Sequence, residues 1–179
     1  MKEKTNSHWV IKVVVVGIIT SMTFTLASAR ILGSVGYVMA FILLIIFISL
    51  GIIFDLVGVA VTAADMAPLH AKAAHREKGT TEAIRMIKNA EKVSSICNDV
   101  VGDISSIVSG STAAIITARL MTDFSTENIL IQMAVSAFVT ALTIGGKAVG
   151  KMMAINSSTL IVLRVGKIIN FVSGLFRKR

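Results

Sequence analysis

Residues Ile96 to Ala118 read ICNDVVGDISSIVSGSTAAIITA, and how this stretch is taken decides the fold. An apolar helix crosses a bilayer with about 20 residues, so the stretch is long enough to span. It opens, however, on Asn98, Asp99 and Asp103. Wound at about 100° per residue, Asn98, Asp99, Gly102, Asp103, Ser105, Ser106, Ser109 and Gly110 fall in one sector roughly 160° wide. Val100, Val101, Ile104, Ile107 and Val108 fill the opposite sector. The expectation is a spanning helix with one face for lipid and one for something polar. Such a face has a plain structural use, since small residues let helices approach closely in a membrane. Two carboxylates one turn apart point further, to a cation site or path. An acid within a membrane is costly unless it is paired or used.

The rest of the chain reads as membrane protein too. Its 179 residues are 54% hydrophobic and 16% charged, with one proline. The mean hydropathy is +0.81. The expected fold class is all-α, a polytopic helical membrane protein of about four spans in one membrane domain. No room is left for a separate soluble enzyme module. There is no CxxC, no phosphate-binding glycine loop and no nucleophile elbow, and the serines of the 96–118 span lack a base. No enzyme is expected. The net charge of +8 raises nucleic acid as a partner. The basic residues flank apolar spans instead, so anionic lipid headgroups are the expected partner and nucleic acid is not. Cys97 is the one cysteine, which rules out an intrachain disulfide.

Taken in order, residues 1–36 form an N-terminal signal-anchor helix and turn. Lys2 and Lys4 precede the apolar Trp9 to Ala29, with Lys12 near its start and Trp9 placed as an interfacial anchor. Leu26-Ala27-Ser28-Ala29 resembles a signal-peptidase site. Cleaved or retained, the segment leaves Arg30 outside. Gly33, Ser34 and Gly36 suit a turn. The second span, 37–64, contains Asp55 and ends in Thr62-Ala63-Ala64-Asp65.

Residues 66–95 carry Lys72, Arg76, Lys78, Arg85, Lys88 and Lys92. Gly79 before Thr80-Thr81-Glu82 reads as a helix end and a new N-cap. Ala83, Ile84, Ile87 and Ala90 then make one apolar stripe, so this segment is a juxtamembrane hairpin of amphipathic helices. His70 and His75 lie five apart, a poor spacing for a shared metal, and belong to a solvated basic face. The third span is 96–118 and the fourth 129–146. The fourth leads into Gly145-Gly146-Lys147-Ala148-Val149-Gly150-Lys151. Over 157–176, Arg164, Lys167, Asn170 and Ser173 share one side and Leu160, Leu163, Phe171 and Leu175 largely the other. That pattern lies in the interface. With both termini and 66–95 cytoplasmic, all Lys and Arg except Arg30 and Arg119 are inside, a strong positive-inside split. The chain is expected in the cell membrane.

This order of motifs resembles the transmembrane domain of the CNNM/CorC magnesium transport proteins, over about Tyr37 to Phe176. The family's Ser-Ala-x-Glu corresponds to Thr62-Ala63-Ala64-Asp65. Its Gly-Asn-Asn corresponds to Cys97-Asn98-Asp99, after Asn89-Ala90-Glu91-Lys92 where the family has Asn-Pro-Glu. Its Gly-Glu-x-x-Pro-Lys corresponds to Gly146-Lys147-Ala148-Val149-Gly150-Lys151. The resemblance implies a dehydrated Mg²⁺ site between the helices, with Thr62, Asn98 and Asp99 as metal ligands, and a homodimer. Asp103 adds a carboxylate the family pattern lacks, while Lys147 and Asp65 would modulate the site. A lysine at 147 stands where the family has an acid, and Gly150 where it has proline. The family's cytosolic regulatory domain has no counterpart in these 179 residues. Physically, the oxygen donors suit a hard divalent ion. Two functions are therefore expected: divalent cation binding or transport, or a non-transporting structural or partner subunit in which Lys147 replaces the cation.

Overall fold

A computed structural model describes residues 7–124 and 129–177. Lys2, Lys4, Glu127, Lys178 and Arg179 lie outside the described residues, as do the side chains of Trp9, Lys12, Ser28 and Arg177. The elements are α1 (Ser7–Ser34), α2 (Tyr37–Ala63), α3 (Ala67–Ala74), α4 (Thr80–Lys88), α5 (Ala90–Ser95), a π-helical segment (Ile96–Gly102), α6 (Asp103–Asp123), α7 (Ile129–Asn156) and α8 (Ser158–Arg177). The fold is all-α. Helix α2, the continuous run Ala90–Asp123, helix α7 and residues Ser158–Leu175 of α8 are each long and apolar enough to cross a membrane. Their surfaces agree. Val38, Ile45 and Ile53 of α2 and Leu130, Phe138 and Ile144 of α7 are exposed. Contiguous apolar surface of this kind is unfavourable in water and suits lipid. The chain is a multi-pass helical membrane protein.

It forms two units, residues 1–50 with 103–143, and residues 51–102 with 144–179. In the first, α1 packs along α6. The buried face of α6 is Ser105, Val108, Ser109, Thr112, Ala113, Ile116 and Thr117. This revises the division of faces read from the sequence: Val108 is buried, while Asp103 and Gly110 are exposed. The hydroxyls on this helix turn back to its own carbonyls. Ser109 donates to Ser106 O, Thr112 to Val108 O and Thr117 to Ala113 O at 2.8–2.9 Å. Small hydroxylated residues here serve close packing, each satisfying its own polar group. In α2, Ala40, Leu44 and Ile48 recur every fourth residue and are buried. The turn into α2 is clamped. The Tyr37 hydroxyl donates to Asp123 Oδ2, Arg119 Nη1 donates to Val35 O at 2.9 Å, and its guanidinium lies 5.8 Å from the Tyr37 ring centroid.

The second unit has its core in Ala60, Val61, Leu69, Ala83, Met86, Ala154, Val162 and Leu163. Met86 completes a stripe that the sequence suggested from Ala83, Ile84, Ile87 and Ala90 alone. Helix α4 packs on α8 at close range. Gly166 allows it, because a Cβ there would lie 3.0 Å from Ala83 N and 3.1 Å from Ala83 Cβ. Gly79, not Thr80, occupies the N-cap of α4, in the left-handed region at φ +82°. Only glycine enters that region without strain. Thr80 instead donates its hydroxyl to Glu77 O. Polar contacts fasten the same junction. Lys167 Nζ meets Glu77 Oε1 at 2.7 Å, Lys72 Nζ meets Glu77 Oε2 at 3.5 Å, and Asn170 Nδ2 donates to Glu82 Oε1 at 2.9 Å.

Candidate functional site

The candidate site is built around the π-helical segment. A wider i→i+5 turn slips the side-chain register, so residues before and after it do not continue one α-helical stripe. Such turns recur at functional sites. Asn98 is half-buried against Gly58 of α2. A Cβ at position 58 would lie 2.7 Å from Asn98 Cγ, so glycine is what admits the amide. Asn98 Nδ2 donates to Ser94 Oγ at 3.3 Å. Its Oδ1 is buried and has no donor among the described residues. A buried acceptor left unmet costs about 1–3 kcal/mol.

Asp99 is exposed beside it, and its Oδ2 accepts from Ser95 Oγ at 2.8 Å. On the other side comes α7. Gly146 and Gly150, one turn apart, set it against α2. A Cβ at Gly146 would lie 3.2 Å from Ile52 Cγ1, and one at Gly150 3.4 Å from Ile52 Cγ2. Small residues at this spacing let membrane helices touch. Lys147, half-buried between them, extends its Nζ to 3.9 Å from the Cβ position of Gly102, the last residue of the π-helical segment. Among the described residues the salt bridges are those of Glu77, and none joins Lys147 to Asp99.

The remaining expected residues stand as follows. Thr62 lies one turn beyond Gly58, exposed, with its hydroxyl donating to Val59 O at 2.9 Å. Asp65 is exposed and its Oδ1 accepts from Ala67 N at 3.0 Å, a local turn just before α3, whose N-cap is Met66. Asp103, the first residue of α6, is exposed and falls in the first unit. Asn98 thus meets Gly58, Asp99 meets Ser95, and Lys147 reaches Gly102 at the end of the same segment; the structure adds Gly58 and Ser95 to the expected residues. Neither was singled out from sequence. For Gly58 the available signal was a glycine four residues before Thr62 in an otherwise apolar span, where backbones can approach.

Asn98 Oδ1 and the Asp99 carboxylate are hard oxygen donors, which suit Mg²⁺ or Ca²⁺ better than a soft metal. No protein family, curated protein or solved structure matches this chain.

Proposed function

We propose that this multi-pass membrane protein binds a divalent cation, Mg²⁺ foremost, at the π-helical segment of its third span and serves cation transport. Asn98 supplies a neutral carbonyl oxygen, Asp99 supplies charge, and Thr62 lies one turn along α2 as a further hydroxyl. The observation that carries this reading is the buried Asn98 Oδ1 without a donor, one residue from a carboxylate. A cation satisfies both at once. Both termini and 66–95 lie on the cytoplasmic side, where the excess of Lys and Arg favours them. The chain works as a homodimer.

One observation favours a second reading. The Lys147 ammonium reaches the π-helical segment and has no carboxylate within salt-bridge distance among the described residues. A tethered ammonium there does electrostatically what a bound cation does, and the chain is then a non-transporting partner subunit. Mg²⁺ uptake into liposomes separates the two. The cation reading expects flux in wild type that Asp99→Asn reduces at least tenfold. The tethered-ion reading expects no wild-type flux and its appearance in Lys147→Glu. Equal flux in wild type and Asp99→Asn overturns the cation site.

A further inference from the structure

A cleft of about 520 Å³ lies where the end of α8 meets the turn from α3 to α4, lined by Lys78, Lys167, Asn170, Phe171, Gly174 and Leu175. Pockets for small ligands span about 300–1,000 Å³. Its lining mixes two characters. Lys78 and Lys167 bring two ammonium groups to it. Phe171 and Leu175, 72% and 67% exposed, bring apolar surface, and Ile168 extends this apolar strip along α8. Gly174 meets no atom within 4 Å of its Cβ position, which leaves the space open. The frame is fixed by the close approach of Gly166 to α4 and by the Lys167–Glu77 and Asn170–Glu82 contacts. Lys167 is thereby held in place. Lys78 is exposed and forms no salt bridge among the described residues. Lys72 and Arg76 add positive charge nearby, against the carboxylates of Glu77 and Glu82 alone.

We infer that this cleft binds one anionic phospholipid, with its phosphate between Lys78 and Lys167 and its acyl chains along Phe171 and Leu175. Lysine is a point-charge partner for phosphate. An apolar strip continuous with that charge pair favours a lipid over a free anion, which gains nothing from Phe171. The inference goes beyond a general attraction to headgroups, because it places one lipid in one frame, and it does not rest on the cation reading.

Native mass spectrometry of the full chain in non-ionic detergent tests it. Dioctanoyl phosphatidylglycerol is titrated, with dioctanoyl phosphatidylcholine and inorganic phosphate as separate arms. The expected result is one saturable phosphatidylglycerol adduct, bound at least fivefold more tightly than phosphatidylcholine. Lys78→Gln and Phe171→Ser, both at exposed side chains, should each weaken it about fivefold. Three results overturn the inference. They are phosphatidylglycerol binding unchanged in either variant, equal binding of phosphatidylcholine, and displacement of the lipid by equimolar phosphate, which marks a free-anion site.

Discussion

Asn98 holds its carbonyl oxygen against Gly58 with no donor. Two substitutions probe that contact from opposite sides. Gly58→Ala inserts a methyl 2.7 Å from Asn98 Cγ, and overpacking of this kind costs about 1–3 kcal/mol. Thermal unfolding of the purified chain should drop accordingly, and Mg²⁺ affinity should fall with it as the amide is displaced. Gly110→Ala, where nothing lies within 4 Å, should leave Mg²⁺ affinity unchanged and raise stability by about 1 kcal/mol of helix propensity. Glu77 offers a second residue-scale test. The hydrogen bond from Lys167 holds its carboxyl below the usual glutamate range, with the charges of Lys167 and Lys72 adding to the effect. A pKa depressed in the folded state contributes stability above the unfolded value, about 4.3. That stability is lost as pH falls through the folded value. Unfolding followed from pH 6 to about pH 3 should therefore show a loss that Glu77→Gln lacks. Parallel curves for the two proteins count against the Glu77–Lys167 link.

At the scale of elements, α8 is docked through glycine. Gly166→Ala must push a methyl into Ala83 and the backbone of Gly79. Gly174→Ala meets nothing, and in a helix it gains about 1 kcal/mol of propensity. The two should shift thermal unfolding in opposite directions, and equal shifts would show that α8 is not seated on α4. Much at this scale was legible in the sequence. Hydropathy and charge marked the helices, and Gly36 and Gly79 marked breaks, because these signals are local; Gly33 and Ser34, expected in the turn, belong instead to the end of α1. The face of α6 was legible only in part, since a π-helical segment leaves no trace in an even 100° winding. Gly145-Gly146 looked like the end of a span, yet α7 runs on to Asn156, with Gly146 spent on contact with Ile52 inside the helix. Asp65, expected from the sequence to modulate a site, accepts from Ala67 N in the turn before α3, a local contact set by the chain's direction two residues later.

For the whole molecule, topology and association follow from charge and surface. With Cys97 replaced by alanine, a cysteine at His75 should resist an impermeant thiol reagent added outside cells, and one at Phe124 should react. Reversed labelling contradicts the orientation. The N-terminal half of α7 carries Gln132, Ser136 and Thr140 on one face beside the small residues Gly110, Ala114 and Ala118 of α6, around a cleft of about 250 Å³. Polar side chains within a membrane gain by pairing across helices, so the proposed association of two copies is tested at this face. Mass measurement in native membranes should give a dimer that Gln132→Leu with Ser136→Leu weakens. The central claim is that this molecule holds a divalent cation at the π-helical segment. Titration calorimetry of Mg²⁺ into the purified full chain tests it most directly, with Asp99→Asn and Asp65→Asn alongside. The account predicts saturable binding by wild type, at least tenfold weaker in Asp99→Asn and unchanged in Asp65→Asn. No binding by wild type, or equal binding by Asp99→Asn, would contradict it.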